Sequence, residues 1–369
     1  VLLTHDLLEN MLADYEKRGA YAGADYLSKA FADLSHMMDE KHNTSLFQKG
    51  HICEQVVVPN EALAEVIRDM ATISFRKFTS DILGNTYESY LGTKLVLRNG
   101  EITDEERKDI RKGRGIYYTP TWVVKYIVDN TLGKTLRELQ IQHGLRAIEK
   151  VRGLALLDPA CGSGSFLIYA YEVFADFYRG LNEAIEQEKA RLVTQATQLK
   201  MFDTLEQLKQ LAEPVYDYPQ VILKEHLFGV DLDPEAAEIA AVNLTMQAFA
   251  DSRQTKLPLI LNENIKVGDS LKRETREQYP VAVPNGGFDF VMGNPPYVRI
   301  QALDRAYADY LRDHYESAYG SFDIYVPFIE RGLELLKPGG RLGYITSGKF
   351  LKAQYGKKLQ ELLMREATV

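Results

Sequence analysis

From Val1 to about Lys112 apolar residues recur at intervals of three and four, as in Leu7, Met11, Leu12 and Tyr15 and again in Leu63, Val66, Ile67 and Met70. That spacing predicts amphipathic helices. Strand-like runs are short there, Val56-Val57-Val58 before Pro59 being the best, and Asp81 to Gly92 reads as a further helix closed by glycine. A charged stretch from Glu101 to Arg114 then passes from acidic to basic and marks a boundary. Beyond it the rhythm changes to strand, turn, helix. Leu154–Leu157, Leu227–Val230, Ile265–Val267, Phe288–Met292 and Leu342–Ile345 are short apolar runs, each ending in a turn, and helical patterns separate most of them. Such alternation predicts an α/β fold with a mostly parallel sheet covered by helices on both faces, and it places ligands at the carboxyl ends of the strands. The polar helical stretch at about 179–213 is longer than one crossover needs and reads as an inserted helical pair.

Composition narrows the classes. The chain has 369 residues, 45% hydrophobic and 26% charged, with a net charge of −8, so neither global disorder nor a uniformly basic nucleic-acid coat is expected. Cys53 and Cys161 are too few for a disulfide framework or a cysteine-rich metal site, and they suit a reducing cytoplasm. No basic segment followed by an apolar stretch opens the chain, and no apolar run is long enough to span a membrane. The expectation is a cytoplasmic protein with no metal site and no membrane partner. The start at Val1 and the stop at Val369 suggest a piece of a longer polypeptide.

Two turns carry the chemistry. Asp158-Pro-Ala160-Cys-Gly162-Ser-Gly164 places two glycines between a strand and a helix, where the backbone can approach a ligand and the helix N-terminus offers free N–H groups. The same turn could be purely structural. Leu167 stands where a dinucleotide-binding turn would have its third glycine, and there is no phosphate-loop lysine, so a cofactor without phosphates is favoured. Asp231 ends the second strand, where a ribose diol is commonly held, while Asp233, just before Pro234, fits a helix cap better. Asp269, ending the third strand, could accept from an adenine amino group or serve as an ordinary turn residue. The fourth strand ends in Asn294-Pro295-Pro296-Tyr297, a turn stiffened by two prolines. Its Asn294 amide oxygen and Pro295 carbonyl can each accept from a planar NH₂ group, and Tyr297 can stack on the attached ring.

Through these two turns, in this order and about 130 residues apart, the sequence resembles the S-adenosylmethionine-dependent DNA adenine-N6 methyltransferases. Gly115-Ile-Tyr-Tyr-Thr119-Pro120 is similar to the family's cofactor motif, and its position ahead of the glycine turn is the γ arrangement. The resemblance covers about residues 114–369. It implies a Rossmann-like sheet of the class I methyltransferase type, with Asp158, Ala160, Gly162, Gly164, Asp231 and Asp269 holding S-adenosylmethionine and Thr119 against its methionine part. It implies catalysis by Asn294, Pro295 and Tyr297 on an adenine flipped out of double-stranded DNA. Pro296 and either Phe350 or Tyr355 would form the rest of the base pocket; packing of the last helix on the sheet is the other reading of those two aromatics. Residues 1–113 look like the helical spacer of single-chain type IIG restriction–modification enzymes, which joins an N-terminal nuclease to the methyltransferase. The final strands and a C-terminal target-recognition domain are expected outside this chain, and no acid-x-Lys arrangement here predicts DNA cleavage.

Two basic segments temper the acidic whole. Residues 111–125 (Arg111, Lys112, Arg114, Lys125) and 341–369 each carry a net +4, which fits either phosphate contacts or solvated helix faces. The competing functions are a protein methyltransferase acting on a glutamine amide, which also uses Asn-Pro-Pro-Tyr, and a non-catalytic cofactor- and DNA-binding module.

Overall fold

The computed structural model describes residues 5–42, 56–72, 93–98, 101–106, 119–196, 201–252, 256–273 and 286–368. The expected helix at 81–92, the residues Gly115 to Tyr118 and the cations Arg111, Lys112 and Arg114 lie outside them.

In the N-terminal part, α1 (His5–Arg18), α2 (Tyr26–His42) and α3 (Asn60–Thr72) meet through a small cluster of Leu8, Leu27, Ala64 and Ile67. Asn60 ties them together, accepting from Leu27 N at 3.0 Å and donating to Gly23 O at 2.7 Å. Val56-Val57-Val58 is not a strand. The Ser28 hydroxyl donates to Val58 O and accepts from Val58 N, both at 3.1 Å, so a side chain takes the backbone groups a neighbouring strand would have used. The region is also not wholly helical. β1 (Thr93–Arg98) and β2 (Glu101–Glu106) pair antiparallel, which puts Glu105 in a strand rather than in a charged helix or loop. Asn99-Gly100, between the two, is the sequence signal for such a hairpin.

The second part is built on a five-stranded parallel sheet in the order β5-β4-β3-β6-β7. The strands are β3 (Leu156–Asp158), β4 (Leu227–Asp231), β5 (Ile265–Val267), β6 (Phe288–Gly293) and β7 (Leu336–Tyr344). Side-chain alternation divides the core between the two faces: Leu156, Phe290 and Met292 join one apolar cluster, and Leu157 and Val291 join another, which Phe288 enters across a register irregularity in β6. On the first face pack α4 (Thr121–Val128), α5 (Lys134–His143), α6 (Ser165–Ala196) and α8 (Pro234–Asp251), and α7 (Met201–Gln210) lies against α6. The predicted insertion is thus a continuation of α6 followed by α7. Beyond the other face, α9 (Arg305–His314), α10 (Tyr325–Leu335) and α11 (Lys357–Glu366) share a core with Tyr297, Phe350 and Tyr355.

The switch from β3 outward to β4 on one side and β6 on the other opens a crevice at the strands' carboxyl ends. Arg341 of β7 donates to Thr131 O at 3.3 Å and pairs with Glu138 of α5 at 2.8 Å, tying the segment that follows α4 to the edge strand.

Candidate active site

In the crevice lies a cavity of about 670 Å³, onto which Thr119 and the turns after β3, β4, β5 and β6 all open. The turn after β3 begins with Cys161 N donating to Val230 O at 2.9 Å and closes with Gly164 N on Cys161 O at 2.8 Å. Gly162 (φ 53°) and Gly164 (φ 91°) are both in the left-handed region. A side chain there would be strained, and a Cβ on Gly164 would also meet Ala240 at 3.1 Å. α6 starts at Ser165, so its free N–H groups face the same space.

Asp231 and Asp233 divide the labour as their positions suggested. Asp233 caps α8, accepting from Glu235 N at 3.1 Å with Pro234 in the first turn. Asp231 faces the cavity and braces the glycine turn, accepting from Gly162 N at 2.8 Å and from Asp233 N at 2.9 Å. Asp158 is 1% exposed and accepts from Ala160 N at 3.1 Å. Burial pushes its carboxyl up to about 8, with the nearby Asp231 charge adding to the effect, and burial raises Asp231 as well. Two such carboxylates lining one cavity favour a ligand that carries positive charge.

Gly293 leads from β6 into the prolines. A Cβ there would stand 2.4 Å from Asp158 Oδ1, so glycine is what lets the β3 carboxylate lie against the β6 turn. Asn294, the next residue, donates from Nδ2 to Thr119 Oγ1 at 3.0 Å. The amide nitrogen is thereby committed to Thr119, and the amide oxygen is the acceptor end of the group. Thr119 is nearly buried, and it lines the cavity together with Asn294 and Pro296, while Pro295 is buried beneath. Tyr297 donates its hydroxyl to Ile345 O at 2.8 Å, and its ring lies 5.9 Å from that of Tyr325. Tyr297, Phe350 and Tyr355 are not among the residues that line the cavity. Phe350 meets Tyr325 edge-on at 6.4 Å, and the Tyr355 and Tyr325 hydroxyls are hydrogen-bonded at 3.0 Å. Both aromatics therefore buttress Tyr297 through Tyr325.

The far wall holds Asp269, which accepts from Leu271 N at 3.0 Å and from the Tyr307 hydroxyl. Ser270 donates to Pro159 O at 2.6 Å, stitching the β5 turn to the β3 turn, and Arg331 Nε donates to Ser270 O at 3.1 Å from behind. Tyr307, Phe328, Ser270 and Arg331 escape sequence reasoning. Phe328 and Arg331 look like ordinary positions of an amphipathic helix, and nothing in the charged segment around Tyr307 marks it. Among the described residues no group of three or more His, Cys, Asp or Glu side chains could hold a metal ion, and no helix is long and apolar enough to cross a membrane.

The strand order, the glycine turn after the central strand and the crevice define a Rossmann-like sheet of the class I methyltransferase type. The structure of the Type IIL restriction-modification enzyme MmeI in complex with DNA superposes with a TM-score of 0.57 at 16% identity, covering 98% of this chain and 53% of that one, which supports the fold. Residues 225–369 match the Eco57I restriction-modification methylase family. The chain is similar to the Type II restriction enzyme and methyltransferase RM.Eco57I of Escherichia coli, 29% identical over 350 residues, covering 88% of this chain. It is also similar to the adenine-specific methyltransferase PglX of Streptomyces coelicolor, 24% identical and covering 91% of this chain. A shorter match, 33% identical over 139 residues, is to the Type II methyltransferase M.PaeR7I of Pseudomonas aeruginosa. This chain spans 33%, 27% and 24% of those three relatives, respectively.

Proposed function

We propose that this chain is the modification part of a restriction–modification enzyme, transferring a methyl group from S-adenosylmethionine to N6 of an adenine flipped out of double-stranded DNA. One observation carries the reading. Asn294 and Thr119, 175 residues apart, are hydrogen-bonded on the wall of the cavity that the glycine turn, the buried Asp158 and the half-buried Asp231 also line. A group able to accept from an amine is therefore held beside a space that favours a cation.

The residues present fit the cofactor. Asp158 and Asp231, disfavoured as anions by burial, would be relieved by its positive charge, and the glycine turn leaves backbone N–H groups open to it. When bound, S-adenosylmethionine supplies an electrophilic methyl group on a sulfonium. Thr119 would lie against its methionine part, Asp231 at the ribose and Asp269, steadied by Tyr307, at the adenine edge. Ala160 lies beside the turn that holds it.

An exocyclic adenine nitrogen is a weak nucleophile because its lone pair is delocalised into the ring. Asn294 Oδ1 and the Pro295 carbonyl, both acceptors, would draw its two N–H bonds out of the ring plane and make the nitrogen more pyramidal. No strong base is needed before attack, since the N–H proton becomes acidic only as the N–C bond forms. Tyr297, fixed by Ile345, is a platform for the flipped base, with Pro296 beside it. A nuclease and a target-recognition domain elsewhere in the full-length polypeptide would complete the enzyme.

The test is to incubate the full-length polypeptide with methyl-labelled cofactor, mixed genomic DNA and cell protein. Label in N6-methyladenine that disappears in Asn294→Ala supports the reading. Label in protein glutamine, or cofactor binding without transfer, overturns it.

A further inference from the structure

Directly after β7, residues 347–358 carry four lysines and no acid, on a chain whose net charge is −8. The neighbouring cations are neutralised: Arg341 pairs with Glu138, Lys358 with Glu361, and Arg365 with Glu316 and Glu366. Lys349, Lys352 and Lys357 are exposed, and no ion pair joins them to any described residue. Between the first two, Leu351 is 62% exposed although Phe350 beside it turns inward onto Tyr325.

This segment is held in shape. Lys352 N and Ala353 N both donate to Lys349 O, at 3.1 and 2.9 Å, and Gln360 Nε2 of α11 donates to Phe350 O at 2.7 Å. Its root is tied to the Asn-Pro-Pro-Tyr turn, because Ile345 O accepts from the Tyr297 hydroxyl and Ile345 N donates to Gly293 O at 3.2 Å. A preorganised tip thus presents an apolar side chain between unneutralised lysines, beside the turn proposed to grip the base.

We infer that residues 347–358 form a DNA-contacting tip, Lys349, Lys352 and Lys357 meeting backbone phosphates around the target adenine and Leu351 filling the gap left in the stack when that base swings out. The inference rests on the function proposed above and adds the surface and the wedge. Phosphates offset charges that the protein itself leaves unpaired, and an apolar side chain inserted between bases stabilises a distorted duplex.

Two variants test it. In Lys349→Ala/Lys352→Ala the slope of log affinity against log salt for a short duplex should become shallower by about 1.8, at roughly 0.9 per lost phosphate contact. In Leu351→Ala, methylation of duplex DNA carrying the mapped target site should fall about tenfold, while a duplex whose target adenine faces an abasic position, and so is unpaired and costs less to flip, keeps the unmutated rate. Thermal melting and cofactor affinity should be unchanged in both, because all three side chains are exposed. An unaltered salt slope, or equal losses on the paired and abasic substrates, overturns the inference. If the unmutated polypeptide binds cofactor yet labels no adenine, the proposed function fails instead, and the salt slope still decides the tip because phosphate binding needs no transfer.

Discussion

The two halves of the crevice are built differently. On the β3–β4 side the turn geometry is set mostly by neighbouring residues, through glycines in the left-handed region and a capping aspartate two residues from its donor, with one long reach, 69 residues, from Asp231 to Gly162 N. On the β6 side each important group depends on a distant segment. Asn294 is oriented by Thr119 from before α4, Tyr297 by Ile345 after β7, and Gly293 is glycine because Asp158 lies against it. A binding turn can thus be written into a few consecutive residues, whereas aiming an amide at a substrate nitrogen takes side chains brought together by the whole sheet.

Asn294→Ala tests that division with the largest expected effect. It should lower methyl transfer by about 10²–10³, the usual consequence of removing one preorganised hydrogen-bonding group, while cofactor affinity by calorimetry stays within about threefold. A parallel collapse of cofactor binding would mean that the two halves are not separable.

Asp158→Asn should do the reverse, weakening cofactor binding while raising the melting temperature of the cofactor-free protein at pH 7 to 8. The sign follows from the raised carboxyl, about 8 in the folded protein against an ordinary aspartate value of 3.8. Between these values the folded state holds a proton that the unfolded state has lost, so the contribution of Asp158 to stability is greatest below pH 4 and falls as pH rises towards 8. Asn removes that slope, and saturating cofactor should also flatten it. Thermal melts across this range, with and without cofactor, give the answer.

Gly293→Ala should hurt both sides at once. Its Cβ would stand 2.4 Å from Asp158 Oδ1, and overpacking of this kind costs about 1–3 kcal/mol, read as a lower denaturation midpoint together with weaker cofactor binding. For Thr119, Val should lower kcat by about tenfold with a smaller change in cofactor affinity, and Ser, which keeps the hydroxyl, should restore most of the rate, because one hydrogen bond contributes about 0.5–1.5 kcal/mol. If Ser and Val behave alike, methyl packing rather than the hydrogen bond is what Thr119 provides. The smallest effect is expected for Tyr307→Phe, a loss of up to about tenfold in cofactor affinity through a less steady Asp269.

Much of this architecture was legible in advance, for reasons that residues make plain. The short apolar runs at 154–157, 227–230 and 288–292, each closed by a turn, fit buried parallel strands, and Asp233-Pro234 fits a helix start. The hairpin at 93–106 was missed because its alternation was read as part of a helical region despite Asn99-Gly100. Phe350 and Tyr355 could not be placed, since an aromatic a few residues past a strand can turn either way, and their contacts with Tyr325 appear only in the fold. Arg341, counted with the basic residues, is committed to Glu138 and the carbonyl of Thr131.

Local chemistry, then, was settled by the sequence itself: where the chain turns, which turns expose backbone N–H groups, and which residue types stand at the ends of strands. These follow from φ preferences, capping and hydrophobic period, all short-range properties. Tertiary structure alone decided which end of the Asn294 amide is committed to Thr119, which carboxyls lose their water and rise, and which lysines pair with no described carboxylate. Each of these depends on atoms far apart in the chain, whose meeting is set by sheet order and helix packing.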